Sequence, residues 1–80
     1  VNLTRALAAE LAPRIRVNCV CPGMVDTPMA DGHRQNVGNY ALKRLADPGE
    51  IARVILFLIG TESSYVTGAA LAADGGRSFH

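Results

Sequence analysis

The segment comprising residues 16–27 places the strongest constraint on the fold of this chain. Its first six residues, Arg16–Cys21, are predicted to form a strand with Val17, Cys19 and Cys21 on one face. Val20 on the other face indicates burial on both sides, as parallel strands usually show. The strand is predicted to stop at Pro22-Gly23, after which a short loop leads to the hydroxyl of Thr27. Open α/β sheets bind their ligands at the carboxyl ends of parallel strands. The segment therefore predicts a ligand-contacting loop.

A capped helix is predicted further along the chain. Asp47 can cap it, Pro48 suits the first helical position, and Glu50 can complete a capping box. Gly60 suits the end of this helix. Its apolar face comprises Ile51, Val54, Ile55, Leu58 and Ile59.

A second strand is predicted at Ala69–Ala73, after a polar connection over residues 61–67 and before the turn sequence of residues 74–76. The order strand, helix, strand predicts a βαβ crossover with parallel strands. Two parallel strands leave open edges and a bare sheet face, so we expect these residues to form part of a larger sheet.

Two further segments complete the predicted architecture. Asn2–Ala12 is rich in Ala and Leu and predicts a helix without an N-cap, which Pro13 ends. The apolar stripe of this helix comprises Leu3, Leu7 and Leu11. Residues 24–39 form a long, polar, Gly-containing region, which is typical of a lid or binding segment.

Composition and charge exclude several classes of function. Apolar residues make up 49% of the 80 residues and charged residues 19%, which indicates a core-forming domain. Eight basic residues face seven acidic ones without a run of like charge, so no nucleic-acid partner is expected. The longest apolar stretch, Val54–Ile59, is too short to span a bilayer, so no membrane partner is expected either. The chain begins with Val1 rather than Met, which predicts that the true start lies upstream.

The two cysteines carry little chemical information. Cys19 and Cys21 lie on one face of the predicted strand, in a geometry unsuited to a disulfide, and the histidines are distant in sequence. We therefore expect two buried, reduced thiols and no metal site. Free thiols, together with the lack of a signal-peptide pattern, favour the cytoplasm.

Across nearly its whole length the chain resembles the C-terminal third of a short-chain dehydrogenase/reductase. The matching segments are 3–12, Arg16-Val17-Asn18, Pro22-Gly23, Thr27, Arg44-Leu45, 47–52, Val66-Thr67-Gly68 and Asp74-Gly75-Gly76. The resemblance implies an α/β fold, the C-terminal part of a doubly wound Rossmann-type parallel sheet, ordered helix, strand, lid, helix, strand. Residues 1–80 would then belong to a single dinucleotide-binding oxidoreductase domain, with no separate second domain.

The resemblance also implies a cofactor, NAD or NADP, and the residues that contact it. Pro22, Gly23, Met24, Val25 and Thr27 are the implied cofactor-binding residues. The Val25 backbone would lie against the nicotinamide carboxamide, and the Thr27 hydroxyl would lie near it or near the pyrophosphate. Pro22 would stiffen the exit from the strand, and Gly23 would let the backbone approach the ring closely.

Other candidate residues have competing interpretations. The side chains of Met24 and Met29 are each either a substrate contact or core-filling, and His33 in the lid is either a substrate contact or a solvated side chain. Tyr40 and Lys43 imitate the family's Tyr-x-x-x-Lys pair, but their spacing and position are wrong, so they are expected to flank the lid. The resemblance places the catalytic Ser, Tyr and Lys upstream of Val1, so no residue here is assigned catalysis.

The implied function is that of an NAD(P)-dependent oxidoreductase that interconverts an alcohol and a ketone or aldehyde by hydride transfer. The 80 residues would supply the nicotinamide-positioning loop and the substrate lid, and they would be inactive alone. The full-length protein is expected to act on a small molecule and to form a homo-oligomer, a tetramer or a dimer. The alternative is a truncated, non-catalytic piece with an interaction or structural role. The choice between NAD and NADP, and the substrate itself, stay open.

Overall fold

The computed structural model describes residues 1–28 and 37–78. Its elements, in chain order, are helix α1 (Asn2–Leu11), strand β1 (Cys19–Pro22), helix α2 (Pro48–Ile59), a 3-10 helix (Thr61–Ser63) and strand β2 (Ala70–Ala73). The predicted order of helix, strand, helix and strand is confirmed.

The two strands pair in parallel, as predicted for a βαβ unit. Their register runs from Cys19 opposite Ala70 to Pro22 opposite Ala73, and α2 lies between the strands in the chain. Because the strands are parallel, both end at the same edge of the sheet. The segments that follow β1 and β2 are therefore neighbours.

The prediction of a strand over Arg16–Cys21 is wrong at both ends, since β1 is Cys19–Pro22. Before Cys19, the Asn18 side chain replaces backbone groups in bonding to the segment that leads into β2. The Asn18 side-chain amide donates to the Val66 carbonyl at 3.1 Å and accepts from the Ala69 N–H at 2.9 Å. The Cys19 N–H then donates to the Ala69 carbonyl at 2.9 Å, where the regular ladder begins.

Pro22 lies inside the strand, although the strand was predicted to stop there. The ladder continues past it, because the Gly23 N–H donates to the Ala73 carbonyl at 3.2 Å. In this alternating pattern the nitrogen of Pro22 points away from β2, so the missing N–H of proline costs no bond within the pair.

Helix α1 ends one residue earlier than predicted. Ala12 is extended (φ −63°, ψ 151°), as expected for a residue before proline. The buried residue of α1 is Ala8, which is 5% exposed, whereas Leu3 of the predicted stripe is 71% exposed. Ala8 lies against Gly68, where an added Cβ would be 3.6 Å from the Ala8 Cβ. Small side chains therefore allow the close approach that the Ala-rich sequence indicates.

Helix α2 begins and ends as predicted, at Pro48 after Asp47 and before Gly60. Its apolar face is covered only in part: Leu58 is 8% exposed, but Ile59 is 71% exposed. Among the residues described, no helix is long and apolar enough to cross a membrane.

The expectation of two buried thiols is wrong. Cys19 is half-buried, and Cys21 is exposed. Side chains of a strand project from the two faces of the sheet, and among the described residues nothing covers the Cys21 side chain enough to bury it.

Candidate functional site

The Pro-Gly loop, defined as residues 22–27, leaves the sheet at the edge where β2 also ends. Its glycine is required by packing within the chain. A Cβ on Gly23 would lie 2.8 Å from the Tyr40 Cε2 atom, 3.1 Å from the Asp74 Cα and 3.2 Å from the Asp74 carbonyl oxygen. Close approach was predicted at Gly23 for a ligand ring; the structure adds that an aromatic ring and a backbone of the chain itself approach it.

The middle of the Pro-Gly loop is held by two segments that are distant in sequence. The Met24 N–H donates to the Tyr40 hydroxyl at 3.1 Å, and the Met24 carbonyl accepts from the Ala46 N–H at 3.0 Å. The Ala46 carbonyl accepts from the Asp26 N–H at 2.7 Å. These bonds form an isolated parallel bridge between Val25 and Ala46. The loop is therefore fixed by a short parallel pairing that lies outside the two-stranded sheet.

The bridge determines where the backbone of Val25 points. Both bonds to Ala46 come from the residues on either side of Val25, namely Met24 and Asp26. A trans peptide directs its N–H and C=O to opposite sides. The Val25 N–H and C=O consequently both face away from Ala46, and one donor and one acceptor are presented side by side on the other face of the loop.

Tyr40 was expected to flank a lid, and its contact with the loop was missed. Local spacing could not reveal it, because the bond to Met24 spans 16 residues. The Tyr40 N–H donates to the Val37 carbonyl at 3.0 Å, and the Tyr40 carbonyl accepts from the Lys43 N–H at 2.9 Å. Lys43 has a positive φ of 57°, and its Nζ donates to the Gly38 carbonyl at 3.0 Å. Tyr40 is thus held in a compact turn.

Asp74 holds the turn after β2, in the turn sequence predicted for residues 74–76. Its carboxylate accepts from the Gly76 N–H at 3.0 Å and from the Ser78 N–H at 3.1 Å. Burial works to raise the pKa of Asp74, but the hydrogen bonds from Ser78 and Gly76 outweigh it and the pKa is lowered. The turn also reaches the Tyr40 segment, since the Gly75 carbonyl accepts from the Leu42 N–H at 2.9 Å.

An ion pair fixes the segment that carries Ala46 to the start of α2. The Arg44 guanidinium binds the Glu50 carboxylate through two bonds, of 2.6 Å and 2.8 Å. Glu50 also accepts from the Asp47 N–H at 2.9 Å, which is its predicted part in the capping box. The bond from Arg44 lowers the pKa of Glu50 to about 2, and the bond from Asp47 adds to the effect.

Arg16 joins the far end of α2 to the start of β1. Its guanidinium donates to five acceptors at 2.9–3.1 Å: the carbonyls of Leu58, Gly60, Ser63 and Val66 and the hydroxyl of Ser63. Ser63 is 1% exposed, and its hydroxyl donates to the Leu58 carbonyl at 2.9 Å. This network closes the βαβ unit at the edge opposite to the Pro-Gly loop.

A cavity of about 300 Å³ lies between α2, the end of β2 and residues 42–46. Its lining comprises Leu42, Arg44, Ala46, Glu50, Ile51, Arg53, Val54, Ala73 and Gly75. Ala46 belongs to this lining, but Val25 and Thr27 do not. The cavity is therefore separate from the side of the loop to which the Val25 backbone points.

The structure brings together all five residues predicted to bind a cofactor. Pro22 is exposed, and the other four, Gly23, Met24, Val25 and Thr27, are half-buried along one loop. The predicted lid residues Met29 and His33 lie outside the described residues. In residues 1–28 and 37–78 there is no group of three or more His, Cys, Asp or Glu side chains that could hold a metal ion.

Comparisons with known proteins place this geometry in a family. The model of the family described as enoyl-(acyl carrier protein) reductase matches residues 1–78. A 3-oxoacyl-(acyl-carrier-protein) reductase of Chlamydia muridarum is 43% identical over 84 residues, which cover 98% of this chain and 34% of that protein.

Solved structures of similar proteins also match this chain. A short-chain dehydrogenase/reductase described as a glucose/ribitol dehydrogenase, from Brucella melitensis, superposes with a TM-score of 0.86 at 43% identity, over 95% of this chain and 33% of that one. A blue fluorescent protein from a metagenomic library, solved in complex with NADPH, gives a TM-score of 0.88 at 43% identity, over 96% and 33%. The chain spans about a third of the length of these proteins. It belongs to the short-chain dehydrogenase/reductase family, of which it represents the predicted C-terminal part of an α/β Rossmann fold.

Proposed function

We propose that the full-length protein is an NAD(P)-dependent oxidoreductase that interconverts an alcohol and a ketone or aldehyde. Residues 1–80 form the C-terminal segment of its single dinucleotide-binding domain. Within this segment the Pro-Gly loop contacts the nicotinamide end of the cofactor, and its binding residues are those predicted from the sequence, Pro22 to Val25 together with Thr27.

The observation that carries the proposal is the direction of the two peptide groups beside Val25. Ala46 occupies the opposite side of each, so the Val25 N–H and C=O face outward together. A nicotinamide carboxamide carries one carbonyl acceptor and one NH₂ donor. A backbone donor and acceptor on one residue are complementary to it, and a complementary pair fixes the plane of the amide and hence the face of the attached ring.

A bound NAD(P)H would supply the hydride, and the residues of this chain would orient its ring. The Thr27 hydroxyl lies two residues beyond Val25 on the half-buried loop, where it can add a further hydrogen bond to the carboxamide or the pyrophosphate. Proton transfer belongs to the family's Ser, Tyr and Lys, which this chain does not supply. The segment therefore has a positioning role, and alone it is expected to show no reductase activity.

The relatives support a small-molecule substrate of the alcohol or carbonyl class. One is described as a 3-oxoacyl-(acyl-carrier-protein) reductase and another as a glucose/ribitol dehydrogenase, so the substrates named within the family differ widely. For the full-length protein we further propose a homo-oligomer, a dimer or tetramer, located in the cytoplasm.

The proposal is tested by cofactor binding and turnover in the full-length protein. Thr27→Val should weaken NADH or NADPH binding, or lower turnover, by roughly 1–3 kcal/mol, because a buried polar partner is left unpaired. Thr61→Val is the matched control, since Thr61 is exposed beyond the end of α2. Unchanged affinity and turnover in Thr27→Val would remove Thr27 from the site, and a wild-type protein that binds neither nucleotide would refute the proposed function.

The alternative, a non-catalytic piece, is consistent with the open strand edges of the described sheet. The coding sequence upstream of Val1 separates the two proposals. A Tyr-x-x-x-Lys pattern within a few residues of Val1 supports the enzyme, whereas a stop codon or unrelated sequence there supports the alternative.

A further inference from the structure

We propose that Tyr40 is a positioning residue that sets the orientation of the peptide groups facing the nicotinamide. The inference rests on the proposed function of the Pro-Gly loop and extends it to a side chain outside that loop. Its basis is the hydrogen bond of 3.1 Å from the Met24 N–H to the Tyr40 hydroxyl, together with the packing of the Tyr40 ring on Gly23.

Four consecutive peptide groups of the loop each have one side fixed by the protein. The Gly23 N–H donates to Ala73, the Met24 N–H to Tyr40, the Met24 carbonyl accepts from Ala46, and the Asp26 N–H donates to Ala46. Three of these four bonds go to backbone groups, which a substitution cannot remove. The bond to Tyr40 is the one made by a side chain.

That bond lies between the sheet and the predicted contact residue. It fixes the peptide joining Gly23 to Met24, which directly precedes the peptide that presents the Val25 N–H. Rotation of the first peptide would change the direction in which Met24 enters the bridge with Ala46. The Tyr40 hydroxyl therefore fixes the one peptide between β1 and the bridge whose orientation depends on a side chain.

The phenol is itself held in place from two directions. Backbone bonds to Val37 and Lys43 fix the turn that carries Tyr40. The Tyr40 Cε2 atom would lie 2.8 Å from a Cβ on Gly23, so the ring fills the space that the glycine leaves. Because ring and hydroxyl act on adjacent residues, removal of the hydroxyl alone should leave the packing intact.

The test is the substitution Tyr40→Phe in the full-length protein, with Tyr65→Phe as the control. Tyr65 is fully exposed, at 102% of its reference surface, so loss of its hydroxyl removes no contact within the described chain. Three probes are titrated against each protein: NADH, NADPH and ADP-ribose, which lacks the nicotinamide. The last probe separates an effect at the ring from a general loss of the cofactor site.

We expect Tyr40→Phe to bind the preferred nicotinamide cofactor about five- to ten-fold more weakly while binding of ADP-ribose stays unchanged and the melting temperature falls by no more than about 4 °C. Tyr65→Phe should match the wild type with all three probes. Unchanged NAD(P)H affinity in Tyr40→Phe, or equal weakening of NAD(P)H and ADP-ribose, overturns the positioning role. If the wild type binds neither NADH nor NADPH, the proposed function itself fails. If the wild type binds one of them and Tyr40→Phe binds it with the same affinity, only the positioning role fails.

Discussion

Replacement of Arg16 by methionine should destabilise the protein markedly, because one guanidinium joins β1 to the end of α2 and to the 3-10 helix. Methionine keeps much of the apolar stem but removes the guanidinium contacts to five acceptors at 2.9–3.1 Å, four of which share the two N–H groups of one nitrogen. A bond from a charged donor contributes about 1.5–3 kcal/mol, so simple addition would equal or exceed the whole stability of a typical domain. The relevant question is which acceptors would be left without a partner.

Most of the carbonyls that Arg16 binds keep a second donor. The single Ser63 hydroxyl proton can be donated to either the Leu58 carbonyl at 2.9 Å or the Gly60 carbonyl at 3.2 Å. The Val66 N–H donates to the Ser63 carbonyl at 2.9 Å, and the Asn18 side-chain amide donates to the Val66 carbonyl at 3.1 Å. Arg16→Met therefore leaves one carbonyl, that of Leu58 or Gly60, without a side-chain donor, so the cost should be about 2–3 kcal/mol rather than the sum of five bonds.

Arg16→Met and Ser63→Ala are expected to lower stability more together than the sum of their separate effects. The double variant removes both side-chain donors from the Leu58 and Gly60 carbonyls, so its loss of stability should exceed the sum of the single losses by about 1 kcal/mol or more. Urea unfolding of the full-length protein at fixed protein concentration measures each value. Arg14→Met, at an exposed position nearby, should change stability by less than about 0.5 kcal/mol. A loss below about 0.5 kcal/mol in Arg16→Met, or strict additivity in the double variant, would refute the account of this network.

Three further outcomes are expected in the full-length protein. Gly23→Ala should lower the free energy of unfolding, measured with urea, by about 1–3 kcal/mol. The added Cβ would lie 3.1 Å from the Asp74 Cα, a backbone atom that cannot move as a flexible side chain does. An unchanged free energy of unfolding would contradict this packing. Lys43→Gly should raise stability by up to about 1 kcal/mol, since it relieves a φ of 57°; a loss of stability would show that the Lys43 side chain matters more. Glu50→Gln should lower stability near neutral pH. The pKa of Glu50 in the folded protein is about 2, below its ordinary 4.5. The difference in stability between wild type and Glu50→Gln should therefore be complete above pH 4.5 and should vanish as the pH falls toward 2. A stability difference that does not depend on pH would exclude the ion pair with Arg44 as its cause.

Local signals in the sequence predicted the helices well. Pro48 at the first position of α2 and Pro13 after α1 mark the limits of these helices by restricting φ or removing a donor, and these effects act within a few residues. The pair Asp47 and Glu50 predicted the start of α2 for the same reason, since a capping box is a contact between near neighbours. Parallel pairing also followed from the order of the elements alone.

The features that the sequence did not predict depend on contacts between distant segments. The bounds of β1 shift because Asn18 replaces part of the backbone pairing with its side chain. The exposure of Cys21 depends on which elements pack on its face of the sheet, and a local residue pattern does not reveal those elements. Tyr40 and Ala46 reach the Pro-Gly loop from 16 or more residues away, without any spacing that marks them. The candidate loop was therefore predictable, whereas the groups that hold it in place were not.

The most direct test of the central proposal is a crystal structure of the full-length protein with NADPH or NADH bound. The proposal predicts that the nicotinamide carboxamide lies within hydrogen-bond distance, about 3.2 Å or less, of the Val25 backbone N–H and C=O, with Ala46 still bridged on the other side. A carboxamide bound to other groups, with the Val25 peptides turned away from it, would contradict the proposal.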